Sequence, residues 1–321
     1  MSAASPAPRA VVFAYHQVGV RCLRVLLAHG VDVALVVTHH DNPSEKIWFE
    51  SVADLASDYR LPVATPDDPN APDFVARVQA LRPDFFFSFY YRLMLKPALL
   101  AVPTRGGYNM HGSLLPSYRG RVPVNWALIH GERETGATLH RMVEKPDAGE
   151  IVGQQAVPIL PDDTAGEVFA KLTVAAEMTL DRVLPALLAG RAPHTLPEPG
   201  AGSYFSGRRP EDGRIDWQQP AAVVHNLIRA VAPPYPGAFF DFADRRVVIT
   251  RSASQTQVPR GPSACPELFI DDQQLLARCG DGGVLRILAL EVDGQALAPT
   301  ALPARLGQNP VPLLPPLPPI S

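Results

Sequence analysis

The sequence predicts an α/β domain with a mostly parallel sheet, followed by a smaller β-rich domain. Over the first 160 residues, short apolar runs alternate with segments of helical spacing, a pattern typical of successive β-α-β units. The strand-like runs are almost wholly apolar, as in parallel strands that helices cover on both faces. Beyond residue 205 the apolar runs are short and rich in β-branched residues, which favours a small barrel.

The elements of the first domain follow one another along the chain. Ala10–Ala14 is the first strand, a helix follows near Val18–His29, and the β-branched run Val31–Thr38 is the second strand. Helical spacing over Ser44–Tyr59, with a serine able to cap its start, predicts the next helix. The remaining predictions are a short strand over Leu61–Ala64, a helix over Asp73–Leu81 ended by the Arg82-Pro83 step, a buried strand over Asp84–Tyr90, a weak strand near Gly106–Tyr108, strands over Thr138–Val143 and Ile151–Ile159, and a helix from Asp163 to about Gly190.

Composition shifts divide the chain into four segments. Residues 1–190 are predicted to form the Rossmann-like domain, and the Pro/Gly-rich segment 191–205 is predicted to be a linker. Residues 206–300 are predicted to form a β-barrel-like (OB-like) domain, with a helix near Ala221–Val231 and strands that include Arg246–Thr250 and Val284–Leu290. Residues 301–321 contain seven prolines and are predicted to be extended or disordered.

The composition narrows the class of protein. The chain is 46% hydrophobic, yet it contains no apolar run near the ~18 residues that a membrane span needs. Its N-terminus does not resemble a secretory signal. The three cysteines are scattered, and no two have the spacing of metal ligands. We therefore expect a cytoplasmic protein with no membrane span and no metal.

The distribution of charge bears on nucleic-acid binding. The net charge is −3, and residues 201–321 hold eleven Arg, no Lys and eleven Asp plus Glu. Neither half has the basic excess expected of a protein that binds a phosphate backbone. We therefore expect small-molecule partners and no nucleic acid, and the sequence does not indicate an oligomeric state.

The densest polar cluster runs from Asn109 to Arg121, after the weak strand near Gly106–Tyr108. Residues two apart in an extended segment point to the same side, so Asn109 and His111 are predicted to lie together at the carboxyl end of a strand. Open α/β sheets bind their ligands at that end. Pro116 and Gly120 bracket the loop that follows.

A second polar turn, Glu144 to Gly149, carries Asp147 between two predicted strands. Asn, His and Asp together suit the attack of an amine on an acyl carbon. The amide can donate to a developing oxyanion, the imidazole can pass protons, and the carboxylate can orient the ring and favour its protonated form. On these grounds alone, Asn109 and His111 are equally well explained as ordinary strand-end and turn residues.

Longer blocks of sequence carry a resemblance that favours the catalytic interpretation. Residues 111–152, HGSLLPSYRGRVPVNWALIHGERETGATLHRMVEKPDAGEIV, resemble the signature block of the folate-dependent formyltransferases. The blocks VVFAYH, THHDNPSEKIWFESVADLA, FSFYYR and HNLIRAVAPPYPGAF resemble above all the formyltransferase domain of the UDP-4-amino-4-deoxy-L-arabinose pathway. The resemblance covers roughly residues 10–290.

The resemblance implies an enzyme that uses 10-formyltetrahydrofolate without a metal. It implies that Asn109, His111 and Asp147 are catalytic. It also implies a nucleotide-linked amino sugar as acceptor, in the lipid A modification pathway that confers polymyxin resistance. The best-known members of that pathway carry a fused dehydrogenase-decarboxylase domain, which these 321 residues do not include. The implied folate contacts, mostly through backbone, are Leu93, Met94, Leu95, Arg121, Val143, Glu144, Lys145, Pro146 and Asp147.

The paired arginines Arg208 and Arg209 begin the second domain, beside the cleft expected between the domains. Guanidinium groups suit pyrophosphate oxygens, so we expect both residues to contact the nucleotide-sugar, although a solvated pair is the simpler explanation. Two other functions stay open. One is formylation of methionyl-tRNA, which the charge balance disfavours, and the other is a non-catalytic folate-binding scaffold, which would not need all three catalytic residues.

Overall fold

The computed structural model describes residues 7–313, except 44, 46, 199 and 256–264. These residues group into two compact units. The first takes its described residues from 7–123, 135–157 and 170–206, and the second from 124–134, 158–169 and 207–313. The prediction from the sequence was a continuous first domain, residues 1–190, followed by a linker, whereas the chain enters and leaves the second unit twice before residue 190.

The elements up to residue 206 alternate as the apolar pattern predicts. The strands over residues 9–14, 32–37 and 85–89 are short, mostly apolar runs whose residues are largely buried, and the helix over residues 16–28 buries an apolar face. In chain order the elements are β1 (Arg9–Ala14), α1 (His16–Ala28), β2 (Asp32–Val37), α2 (Val52–Asp58), β3 (Val63–Ala64), α3 (Pro72–Ala80), β4 (Phe85–Phe89), α4 (Pro97–Leu100), β5 (Gly107–His111), β6 (Arg119–Gly120), α5 (Pro123–Ile129), β7 (Glu134–Arg141), β8 (Ile151–Pro158), α6 (Ala165–Leu188) and β9 (Tyr204–Phe205).

The first unit is built on a seven-stranded sheet in the order β3-β2-β1-β4-β5-β7-β8. The five neighbouring strands β3, β2, β1, β4 and β5 run parallel to one another, and β7 pairs antiparallel with β5. The strand order reverses between β1 and β4, because the chain first extends the sheet on one side of β1 and then on the other. The predicted fold class, a Rossmann-like and mostly parallel sheet, is confirmed.

The second helix is shorter than the sequence predicts. The prediction placed it over Ser44–Tyr59, but α2 begins at Val52 because Ser51 is the capping residue, whose Oγ accepts a hydrogen bond from the Asp54 amide at 3.1 Å. Ahead of that cap, Trp48 packs edge-on against the ring of His16, at a centroid distance of 4.7 Å. This packing and the serine cap explain why residues 47–50 are not helical.

The segment predicted to be a linker also differs from the prediction. Thr195 forms a β-bridge with Ile151, and β9 pairs in parallel with β6. The end of this segment is therefore part of the first unit's structure, next to the loop that follows β5.

The second unit contains an antiparallel sheet that curls into a half barrel, which confirms the predicted β-rich, barrel-like class. The elements from residue 207 onward are α7 (Ala221–Ala230), β10 (Ala238–Phe242), β11 (Arg245–Gln255), β12 (Glu267–Asp271), β13 (Gln274–Arg278), β14 (Val284–Val292), β15 (Gln295–Leu297), α8 (Leu302–Leu306) and β16 (Val311–Pro312). The strand order of the sheet is β10-β11-β14-β13-β12-β16, with β15 paired to β14, and Trp217 lies in its core with 1% exposure.

Residues 302–312 of the proline-rich end include a helix and a strand, where the sequence predicts extended or disordered chain. Helix α8 is followed by β16, which pairs antiparallel with β12. Val311 is fully buried and Leu313 is 4% exposed, because both join the core of the half barrel. Residues 314–321 lie outside the described residues. Among the helices that are described, none is long and apolar enough to cross a membrane.

Candidate active site

The trio that the sequence singles out lies together in the first unit. Asn109 and His111 are two residues apart on β5 and therefore share one face of the strand. Asp147 lies in the turn after β7, and its Oδ1 is 3.5 Å from Nδ1 of His111. The backbone of Asp147 has a φ of +51°, a left-handed conformation that non-glycine residues seldom adopt. This strained turn carries a carboxylate whose side chain is only 13% exposed.

The loop after β5 is held by a network of buried side chains. Thr138 Oγ1 donates to the Ser113 carbonyl at 2.6 Å and accepts from the Leu115 amide at 3.1 Å. Ser113 Oγ donates to the Ser117 carbonyl at 2.6 Å. Gln154 adds a bond from its Nε2 to the Leu115 carbonyl. Ser113 thus has a structural role, which agrees with its lack of a nucleophile-elbow motif.

The far end of this loop is fixed by residues 203–205. The Tyr118 amide donates to Ser203 Oγ, and the Arg119 amide donates to the Ser203 carbonyl, both at 2.9 Å. Gly120 has a φ of +96°, and a Cβ at this position would lie 2.2 Å from the Phe205 carbonyl oxygen. Only glycine fits such a backbone approach. The β6–β9 pair therefore sets the position of Tyr118, whose carbonyl lies 2.8 Å from Nε2 of His111.

The hydrogen-bond partners of His111 determine which ring nitrogen carries the hydrogen. Because a carbonyl can only accept, Nε2 carries the hydrogen and donates to Tyr118. In the neutral ring Nδ1 is then unprotonated and faces Asp147. Burial lowers the pKa of His111, and the attraction of Asp147 and the Tyr118 hydrogen bond only partly offset that effect. As predicted from the sequence, Asp147 favours the protonated ring, but burial outweighs that attraction, so the neutral ring of His111 is favoured.

At Asp147 the neighbouring groups, and not burial, determine the direction of the pKa shift. Burial by itself would raise the pKa of its carboxyl, but the nearby imidazoles of His111 and His140 and the Gly120 amide together lower the pKa to about 2. The Gly120 amide donates to Oδ2 at 2.9 Å. Asp147 is therefore ionised across the working pH range and can stabilise a proton that arrives on Nδ1 of His111.

A fourth residue, His140, lies beside Asn109 and Asp147 and was not predicted from the sequence. It lies on β7 directly opposite Asn109 in the antiparallel register, and it is 2% exposed. Its Nε2 lies 3.1 Å from Nδ2 of Asn109 and 3.5 Å from Oδ1 of Asp147. One signal was available, since Thr138 and His140 are alternate polar residues on a predicted strand, but that pattern does not identify the partner strand.

The residues expected to contact folate are two short segments, 93–95 and 143–147, and the separate residue Arg121. Leu93, Met94 and Val143 expose their apolar side chains, by 39%, 56% and 42%. Leu95 is 7% exposed and packs in a core cluster, so only its backbone is free to meet a ligand. Arg121, Glu144 and Lys145 are exposed, and Pro146 is half-buried beside Asp147.

The paired arginines, in the second unit, have different surroundings. Arg208 is half-buried, with its guanidinium 4.9 Å from the ring centroid of Trp126 and its Nη2 donating to the Asp212 carbonyl at 2.7 Å. Burial lowers the pKa of Arg208. Arg209 has an exposed side chain, and its backbone amide donates to Asp212. Of the two, Arg209 is the guanidinium available to a ligand.

The polar turn His39 to Asp41 takes part in hydrogen bonds within the protein. Nε2 of His39 accepts from the Arg92 amide at 3.0 Å, Nε2 of His40 bonds with Thr65, and Asp41 accepts from the Tyr15 hydroxyl at 2.7 Å. Within the described ranges, no group of three or more His, Cys, Asp or Glu could hold a metal ion.

Comparison with known proteins relates these features to a family. Residues 21–184 match the family model described as formyl transferase, and residues 208–302 match the model described as formyl transferase, C-terminal domain. The first match alone spans half of the chain, and it contains Asn109, His111, His140 and Asp147.

Solved structures with low sequence identity share the fold. An N-formyltransferase from Helicobacter canadensis, in complex with folinic acid and dTDP-3-aminofucose, is 18% identical over 91% of this chain and 100% of its own, with a TM-score of 0.71. WlaRD, a sugar 3N-formyl transferase solved with dTDP and 5-N-formyl-THF, is 18% identical over 91% of this chain and 99% of its own, with a TM-score of 0.68. HypX from Aquifex aeolicus, in complex with tetrahydrofolic acid, is 17% identical over 93% of this chain and 47% of its own, with a TM-score of 0.60.

Proposed function

This chain belongs to the formyl transferase family, and from that membership we propose that it transfers a formyl group from 10-formyltetrahydrofolate to the amine of a nucleotide-linked amino sugar. The acceptor we propose is UDP-4-amino-4-deoxy-L-arabinose, in the modification of lipid A that leads to polymyxin resistance. The observation that carries the proposal is the partly buried cluster of Asn109, His111 and Asp147, which suits acyl transfer to an amine.

The donor and acceptor classes have independent support. Two proteins that share this fold over almost their whole length were solved with a formylated folate and with a nucleotide or nucleotide-sugar, and a third holds tetrahydrofolic acid. The exposed apolar side chains of Leu93, Met94 and Val143 suit the flat ring system of a folate. The exposed guanidinium of Arg121 can bind its polar atoms. The folate supplies the formyl group, and the protein supplies the groups that direct its transfer.

Asn109 acts on the developing negative charge. As the unprotonated amine forms a bond to the formyl carbon, an electron pair moves from the C=O bond onto the oxygen. A donor fixed beside that oxygen stabilises the charge, typically by ~10²–10³-fold in rate. Asn109 suits this role because its Nδ2 carries two hydrogens and its orientation is set by a hydrogen bond on the neighbouring strand.

His111 and Asp147 handle the proton. The amine becomes cationic when it attacks, and Nδ1 of neutral His111 accepts the proton that it loses. The resulting imidazolium pairs with the Asp147 carboxylate 3.5 Å away. His111 then returns the proton to the departing folate nitrogen as the C–N bond breaks, so the enzyme ends as it began.

Arg209 is proposed to bind the phosphates of the acceptor, and Arg208 to support it. Arg209 is exposed, whereas the guanidinium of Arg208 packs on Trp126 and donates to the Asp212 carbonyl. We expect Arg208 to order the start of the second unit. Residues 201–321 have a formal net charge of zero, which favours a nucleotide-sugar over a tRNA as the acceptor.

One parallel assay tests the substrate class. The enzyme is given 10-formyltetrahydrofolate with UDP-4-amino-4-deoxy-L-arabinose, with other nucleotide amino-sugars, or with methionyl-tRNA. We expect turnover with a nucleotide amino-sugar, and Arg209→Ala should raise its KM by about 10- to 100-fold, since a charge-assisted contact contributes ~1.5–3 kcal/mol. Arg305→Ala, a basic position in α8, is the control. Formylation of methionyl-tRNA alone would contradict the proposed class, and an unchanged KM would remove only Arg209 from the site.

A further inference from the structure

The orientation of Asn109 depends on a side chain from the neighbouring strand. In the antiparallel β5–β7 pair, His140 stands directly opposite Asn109. His140 is 2% exposed, and its Nε2 lies 3.1 Å from Nδ2 of Asn109. An amide side chain can rotate about its terminal bond, so by itself Asn109 could direct either its oxygen or its nitrogen towards a reacting group.

The hydrogen bonds of His140 decide between those two orientations. Its Nδ1 lies 2.9 Å from the Arg141 carbonyl oxygen, an atom that can only accept, so Nδ1 carries the ring hydrogen. In that tautomer Nε2 has a lone pair and no hydrogen. It can therefore accept from the NH₂ group of Asn109 and would repel the amide oxygen. The Arg141 carbonyl thus selects the tautomer, and the tautomer selects the orientation of the amide.

We propose that His140 is a positioning residue, which holds one hydrogen of the Asn109 amide so that the second hydrogen is directed to the formyl oxygen during transfer. This inference rests on the proposed function and adds a residue to its mechanism. His140 does not touch the substrates in this scheme. It acts through Asn109, while His111 and Asp147 handle the proton.

Two substitutions of His140 distinguish the loss of a hydrogen-bond acceptor from a change in side-chain volume. Gln and Met are unbranched and similar in size, but only Gln can place an oxygen acceptor near the position of Nε2. We expect His140→Met to lower kcat by about 10-fold or more, up to the ~10²–10³-fold expected for loss of an oxyanion donor, with KM for both substrates changed less than about threefold. His140→Gln should recover most of that loss.

A double-mutant cycle with Asn109→Ala provides the decisive readout. If His140 acts through Asn109, then His140→Met should cost no further kcat once the amide is absent. A residue that merely supports the fold would lower kcat by the same factor in both backgrounds. Additive effects would therefore overturn the proposal, as would full activity of His140→Met or equal losses for the Gln and Met variants.

The same experiment distinguishes this proposal from the proposed function. If the wild-type enzyme formylates no amine, the function itself fails and the cycle is not reached. If the wild type is active and the cycle is additive, only the role of His140 fails. Circular dichroism and thermal unfolding of each variant establish that the comparison is made between folded proteins, and a folded His140→Gln keeps the test available if His140→Met does not fold.

Discussion

Replacing Asp147 with Asn removes one charge and keeps the geometry of the turn. The Asn oxygen can still accept from the Gly120 amide, which donates to Oδ2 of Asp147 in the wild type. What is lost is the attraction between the carboxylate and a protonated His111, whose Nδ1 lies 3.5 Å from Oδ1. The perturbation therefore tests whether these two groups are coupled.

The separation of the two groups sets the size of the effect. Two unit charges at 3.5 Å attract by ~1 kcal/mol in water and by ~5 kcal/mol at an effective dielectric constant of ~20. Since a pKa unit corresponds to about 1.4 kcal/mol, the coupling amounts to roughly 1–3 pH units. The sign follows from the mechanism. Neutral His111 accepts the proton, so activity falls as pH falls through its pKa, and loss of the carboxylate lowers that pKa further.

We therefore expect the acid limb of the kcat/KM profile of Asp147→Asn to move to lower pH by about one unit or more. Turnover at the optimum should also fall, because the imidazolium formed in the reaction loses its partner. The measurement is a profile of initial rates from pH 5 to 9, with folate binding followed separately and expected to change little. Glu150→Gln, which removes a carboxylate in the same turn near Arg141, is the control. An acid limb that does not move would show that Asp147 and His111 are not coupled.

Two further substitutions test the chemistry and the loop that supports it. His111→Ala should lower turnover by about 10²–10⁴-fold while the protein still folds, because the proton acceptor is lost, and a loss below about fivefold would contradict the assignment. Gly120→Ala should destabilise the first unit by about 2–4 kcal/mol, measured by urea unfolding, because the new Cβ would lie 2.2 Å from the Phe205 oxygen at a φ of +96°. Gly30→Ala, at a φ of +71° with no atom within 4 Å of its Cβ, should cost only about 1–2 kcal/mol, and equal losses at the two positions would show that the β6–β9 approach is unimportant.

Much of the fold could be predicted because its signals are local. The buried strands β1, β2 and β4 appear as apolar runs, and each begins and ends within one or two residues of its predicted bounds. The helix predicted from Asp163 to about Gly190 is α6, whose capping residue Thr164 and Glu167 lie within one turn of each other. The start of α2 was missed because aromatic packing competes with helical spacing over residues 47–50.

The residues of the candidate site likewise differ in whether their signal is local in the sequence. Asn109, His111 and Asp147 became candidates through residue type, alternation along a strand and a polar turn, and the resemblance to the formyltransferases then favoured them as catalytic residues. His140 could not be assigned to Asn109, because the register of β5 against β7 follows from the packing of the whole sheet. Nor could the sequence show that residues 203–205 hold the Tyr118 loop, since those hydrogen bonds join residues about 85 positions apart.

The sequence by itself determined the alternation of the main strands and helices in the first domain, the class of both domains and the residue types available for acyl transfer, because these depend on neighbours within a few positions. Only the tertiary structure decided which nitrogen of His111 faces Asp147, which residue holds the Asn109 amide, and whether His111 is charged. Those properties depend on burial and on carbonyl groups brought from distant parts of the chain. Burial in particular outweighs the attraction of Asp147 and lowers the pKa of His111, because desolvation is a property of the folded interior that residue types alone do not specify.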